Sequence, residues 1–84
     1  MKIELQLPEM GEDGPEEGEI SYWMVDVDEE FNEGDDLVEI LTDKATFNVP
    51  APAAGKLVEI LVQEGDTARV GQTLAVIESE EENQ

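Results

Sequence analysis

The chain repeats itself. Adding 37 to a residue number carries Gly18 onto Gly55, Val25 onto Val62, Gly34 onto Gly71, Leu37 onto Leu74 and Ile40 onto Ile77 without a gap. The matched residues are turn glycines and strand-like apolar positions, so two quasi-equivalent sets of strands are expected. With 84 residues in all, the core is modest and neither set can bury an apolar face by itself. Small antiparallel sheets solve this by packing on each other. The expected fold is therefore all-β, a flattened barrel or sandwich of two small antiparallel sheets with internal pseudo-two-fold symmetry.

Taken in order, Lys2 to Leu7 alternates polar and apolar, with Ile3, Leu5 and Leu7 on one face, and Pro8 ends it. Glu9 to Glu19 collects Gly11, Gly14, Pro15 and Gly18 among carboxylates and reads as a mobile acidic loop without a compensating cation. Ile20 to Val27 is a strand of imperfect alternation containing Trp23, and Asp26 to Asp36 is again acidic and turn-like. Gly55 to Val62 and Gln72 to Ile77 complete the sheets. The repeat also sets Asp28 against Gly65, where a turn with φ > 0 suits Gly and is tolerated by Asp. One domain over residues 1–79 is expected, with 80–84 an acidic tail or the start of a linker.

Composition excludes several functions. There is no Cys and no His, which removes disulfides, thiolate metal sites, the usual general base and the commonest metal ligand, so a self-contained catalytic site is not expected. Asp26, Asp28 and Glu30 fall at the first three ligand spacings of a calcium loop. That reading fails because Phe31 stands where the sharp turn needs Gly and Leu37 where the bidentate Glu belongs. With 23 acidic against 4 basic side chains the formal net charge is −19. This argues against nucleic acid and anionic membrane as partners and suits a basic protein surface, solubility or a saline cytoplasm. No basic, apolar leader and no apolar run of about 18 residues is present, so a soluble chain is expected, cytoplasmic in a bacterium or archaeon, or in an organelle matrix after loss of a targeting segment.

One of the four cations stands apart. Leu37 to Thr42 and Ala45 to Val49 are apolar and β-branched, and they place Asp43 and Lys44 at a hairpin tip, with the ammonium in water. The tip lacks the Asn-Gly or Asp-Gly pair of the tightest turns, so a type I turn or slightly longer loop is expected. Thr42-Asp43-Lys44-Ala45, with Gly34 and Leu37 before it and Val49-Pro50-Ala51-Pro52 and Gly55 after it, resembles the lipoyl domain of 2-oxo acid dehydrogenase complexes, from about Ile3 to Glu78.

The resemblance implies the same two-sheet fold, lipoic acid in amide linkage on Lys44, and Asp43 and Ala45 as the recognition pair of a lipoate-protein ligase or lipoyl transferase. It further implies a non-catalytic carrier within a dihydrolipoyl acyltransferase component of acetyltransferase type. Such a carrier is acylated by a thiamine-diphosphate-dependent decarboxylase, served by an acyltransferase core and reoxidised by dihydrolipoyl dehydrogenase. In that family the first loop lies beside the lysine hairpin and helps the decarboxylase choose its carrier, which singles out Glu12, Asp13, Glu16 and Glu17. The Asp13-Gly14-Pro15-Glu16 centre is one residue longer here than the common form. Two alternatives remain at this stage. One is a biotinyl carrier, which typically frames its lysine as Met-Lys-Met, and the other is an unmodified acidic adaptor on the same scaffold. Lys44 itself maps onto Glu81, so a single attachment position is expected.

Overall fold

Short β-prone runs cut by Gly, Pro and Asp become strands, and each strand is too short to be stable without neighbours on both sides. The computed structural model describes residues 1–11 and 14–79. Its strands are β1 (Lys2–Gln6), β2 (Glu17–Trp23), β3 (Glu30–Phe31), β4 (Asp36–Leu41), β5 (Thr46–Pro50), β6 (Gly55–Ile60), β7 (Thr67–Arg69) and β8 (Thr73–Ser79). They form two four-stranded antiparallel sheets, in the orders β5-β4-β2-β7 and β1-β8-β6-β3. The two-sheet expectation holds.

The repeat is visible pair by pair. Ile20 opposite Ile40 becomes Leu57 opposite Ile77, Trp23 opposite Val38 becomes Ile60 opposite Ala75, and the bulge after Ile20 recurs after Leu57. That bulge is why alternation across β2 is imperfect in the sequence. The short strands change sides: β3 pairs with β6 and β7 with β2, so each half completes the other's sheet. β1 lies along β8 as β5 lies along β4, with Ile3 opposite Ile77 answering Phe47 opposite Ile40.

Inward-facing residues of both sheets make one core. Ile20, Leu37, Val38, Ile40, Leu57, Leu74, Ala75 and Ile77 are fully buried in it. Trp23 also ties the halves, its indole Nε1 donating to the Val62 carbonyl at 3.0 Å and its backbone N to Glu64 Oε2 at 2.9 Å. Asp28 has φ 74 and Gly65 φ 92, the matched left-handed turns expected from the repeat. Gly18 and Gly55 match for another reason. A Cβ at Gly18 would collide with Ile40 Cγ2, and one at Gly55 with the Glu78 carbonyl, so the chain passes too close there for any side chain.

Three expectations are corrected. Glu17–Glu19 is not loop but the start of β2, pairing with β7 and, at Glu19, with Leu41; a buried Gly carries no hydrophobic signal to reveal this. The 26–36 stretch is not all turn, since it holds β3, two residues recruited by β6. Strands expected to reach Val27 and Val62 end at Trp23 and Ile60, where the backbone turns toward the opposite half. Glu81 and the 80–84 tail lie outside the described residues.

Candidate functional site

The β4–β5 ladder closes with Leu41 opposite Thr46, leaving Thr42 to Ala45 as a four-residue tip. Thr42 organises it. Its backbone N donates to the Ala45 carbonyl at 2.9 Å. Its hydroxyl donates to the same carbonyl at 2.8 Å and accepts from the backbone N of Ala45 at 3.0 Å and of Lys44 at 3.3 Å. One side chain thus satisfies amides that cannot reach the ladder. The loop is longer than a two-residue turn, as the absence of Asn-Gly requires.

Asp43, Lys44 and Ala45 are all exposed. Among the described residues the ion pair present is Arg69 Nε to Glu17 Oε1, at 3.8 Å between two exposed side chains, so the Lys44 ammonium is held by no carboxylate there. No group of three or more potential metal-ligating side chains is assembled among the described residues. Chemically, the arrangement offers one exposed primary amine at the end of a two-stranded hairpin.

The other residues singled out by the sequence are divided. Glu17 and Asp43 share a groove that also takes in Pro15, Glu19, Leu41 and Thr67, so the first loop and the tip are brought together. Glu16 faces a different groove, with Glu9 and Arg69. Arg69 corrects the expectation that this acidic segment has no compensating cation, although a pair so open to water is worth little. Glu12 and Asp13 lie outside the described residues. Sequence reasoning missed the role of Thr42; a Thr immediately before Asp-Lys was the available sign of a hydroxyl-closed turn.

A family model described as biotin-requiring enzyme matches residues 3–77. The dihydrolipoyllysine-residue acetyltransferase component of the pyruvate dehydrogenase complex from Bacillus subtilis is 43% identical over 79 residues, which cover 94% of this chain and 18% of that protein. The same component from Staphylococcus aureus strain Mu50 is 38% identical, with the same coverage of each chain, 94% and 18%. The chain thus spans under a fifth of the length of these relatives. Among solved structures, the lipoyl domain of the 2-oxoglutarate dehydrogenase complex from Azotobacter vinelandii superposes with a TM-score of 0.72 at 30% identity, covering 92% of this chain and 96% of that one. Urea carboxylase from Kluyveromyces lactis gives a TM-score of 0.76 at 25% identity, covering 92% of this chain and 6% of that one. With the match running through both sheets and across the lysine tip, this chain belongs to the biotin- and lipoyl-attachment family.

Proposed function

We propose that the chain is a lipoyl carrier domain with Lys44 as its attachment residue, working within a 2-oxo acid dehydrogenase complex. The observation that carries this is the tip itself: an exposed amine between Asp43 and Ala45, in no ion pair among the described residues, on a tip that lies past the last ladder pair and is held by Thr42. The acetyltransferase relatives and the lipoyl-domain neighbour support lipoate over biotin.

Each residue has a part in this reading. Lys44, once deprotonated in the ligase, attacks an activated lipoyl carbonyl; the amide forms, the activating group leaves and the amine loses its proton. Full projection of Lys44 lets the ligase close around it, and Asp43 and Ala45 are the neighbours it meets. The β4–β5 ladder fixes the direction of the arm. Attached lipoate supplies a dithiolane that accepts an acyl group and two electrons, chemistry the protein presents but does not perform. The partners are the decarboxylase that loads the arm, the acyltransferase core and dihydrolipoyl dehydrogenase, with tethering making each encounter effectively intramolecular.

Intact mass after expression with competent lipoate and biotin ligases tests this directly, since lipoate, biotin and no addition differ in mass. The expected result is one lipoyl addition, lost in Lys44→Arg, whose guanidinium stays protonated. Lipoate on the Lys44→Arg chain would refute the site; biotin or no addition on the parent would refute the function.

A further inference from the structure

The pseudo-two-fold extends to the lysine tip itself. Subtracting 44 from a residue number carries β5 onto β1, as adding 37 carries β4 onto β8. Leu41 opposite Thr46 then becomes Glu78 opposite Lys2, Ile40 opposite Phe47 becomes Ile77 opposite Ile3, and Asp36 opposite Pro50 becomes Thr73 opposite Gln6. The residues skipped by the two ladders, Leu37 and Leu74, also correspond. At one end, the bonds that tie Ala51 to Gly34 and Asp35 are repeated between Leu7 and Gly71 and Gln72. At the other, the Thr42 backbone N donates to the Ala45 carbonyl at 2.9 Å, and the Ser79 backbone N donates to the Met1 carbonyl at 2.7 Å. The bond that closes the lysine tip is thus made a second time, between strands that the sequence does not join there.

Little separates the two ends. Thr42 and Ser79 are both hydroxyl residues, and the Met1 nitrogen donates to the Ser79 carbonyl at 3.4 Å, so β8 and β1 meet as the two sides of a hairpin do. What is missing between them is the counterpart of Asp43 and Lys44, whose places in the sequence fall to Glu80 and Glu81. The surrounding side chains, by contrast, differ throughout. Beside Lys44 the outer row reads Thr46, Leu41, Glu19, Thr67, and beside Met1 it reads Lys2, Glu78, Lys56, Glu30. Backbone closure and surface chemistry can therefore be told apart within one molecule.

We infer that the β8–β1 end is a second, cryptic attachment position, complete but for its two central residues, and that bridging Ser79 to Met1 by Asp-Lys makes it a substrate for lipoate. The inference rests on the carrier reading. It places what singles out one end for modification in the residues at the centre of the tip and not in the sheet that bears it. The geometry supports this because Thr42 to Ala45 lie past the last ladder pair, farther along the strands than any residue of the outer row, so the tip is the first part of the domain that a ligase reaches. A bridged β8–β1 end would stand equally far past Glu78 and Lys2, its own last pair. The chemistry there is that of Lys44: the deprotonated amine attacks an activated lipoyl carbonyl, the amide forms, and the activating group and the amine's proton leave. In the chain as it stands one end alone is modified, since Glu81 brings no amine to the place of Lys44.

The test is a circularly permuted chain that starts at Asp13, runs to Ser79, crosses to residue 1 through an inserted Asp-Lys and ends at Glu12, with Met1→Ala to match the residue that follows Lys44. Its opening falls where the first half exceeds the second, since ten residues separate Leu7 from Gly18 and three separate Ala51 from Gly55. A second permuted chain, opened between Asp43 and Lys44 and carrying Lys44→Gln, keeps the new tip alone. Trp23 fluorescence on denaturation reports the fold of each. Intact mass and peptide mapping after incubation with lipoate ligase report attachment. Expected are cooperative unfolding of both, two lipoyl additions on the first chain, and one on the second and on the first with Lys44→Gln, placed on the inserted lysine. The ligase kcat/KM at that lysine is expected within about tenfold of its value at Lys44. A folded chain whose inserted lysine stays bare while Lys44 takes lipoate overturns the cryptic position and leaves the carrier reading standing. Failure of both permuted chains to fold overturns it too, because the β8–β1 end then does not close as the β4–β5 end does. A parent chain that takes no lipoate overturns the carrier reading and the cryptic position together.

Discussion

Thr42→Val is nearly isosteric and removes one hydroxyl, so it isolates what orders the lysine tip. Three contacts disappear: the bond donated to the Ala45 carbonyl at 2.8 Å and those accepted from the Ala45 and Lys44 amides at 3.0 and 3.3 Å. The longest is marginal, and at a half-exposed position water replaces part of each, so the net loss is about 1–1.5 kcal/mol rather than three full bonds. The backbone bond from Thr42 N to the Ala45 carbonyl survives and the β4–β5 ladder is untouched, so the strands stay in register and the loss falls on the tip. A competent-tip population lowered by that energy reduces apparent ligase affinity by up to about tenfold, and the global midpoint falls by no more than about 6–12 °C. The assay is steady-state lipoylation of parent, Thr42→Val and Thr42→Ser by one ligase, beside thermal unfolding. We expect kcat/KM about 3–10-fold lower in Thr42→Val, carried by KM, and near the parent value in Thr42→Ser. Parent-like lipoylation of Thr42→Val, or a Thr42→Ser as poor as Thr42→Val, would refute the reasoning.

Gly18→Val forces a branched side chain into the fully buried Ile40, where no flexible neighbour can yield, and is expected to lower stability by about 1–3 kcal/mol in urea unfolding; an unchanged midpoint would mean that β2 and β4 separate more easily than their ladder indicates. Asp43→Met combined with Ala45→Met, both exposed and so neutral for folding, is expected to shift modification from lipoate toward biotin when both ligases are present; intact mass decides, and a double variant without biotin shows that the flanking residues are not the discriminating feature.

Much of this was legible in the sequence. The offset of 37 alone pairs Ile40 with Ile77 and Leu37 with Leu74, all fully buried, and it anticipated the left-handed turn at Asp28 from Gly65. What escaped it has a common cause. β3 and β7 are two and three residues long, too short for any period to register, and exist because a strand of the opposite half holds them. Gly18 is buried for lack of a side chain, so a search for apolar residues passes over it and truncates β2. The approach of Arg69 to Glu17 comes from the pairing of β7 with β2, which no local pattern encodes.

The distribution of charge makes a last prediction. Lys2 and Lys56 sit in the outer row of the sheet remote from the tip, alternating with Glu78 and Glu30, so they offset acidity where no arm is presented. On the arm's sheet Arg69 offsets Glu17 alone, while Glu19, Glu39 and Asp43 have no cation within ion-pair distance among the described residues. Lipoylation at Lys44, as proposed, would remove its charge and take the formal net charge from −19 to −19 − 1 = −20. The field at the tip would thereby be made more negative by the proposed modification, which favours approach to cationic enzyme surfaces. With a Debye length of about 8 Å at physiological ionic strength, steering acts at close range and fades steeply with salt. The rate of reductive acylation at low carrier concentration, measured across a salt series, is expected to fall in the parent chain. Its slope should be shallower when Glu12, Asp13, Glu16 and Glu17 are made Gln or Asn. Unfolding measured in the same salts separates the two origins of the acidity: a parent rate that is flat or rises with salt while stability climbs would show that the carboxylates serve solubility or a saline cytoplasm and that steering does not set the rate.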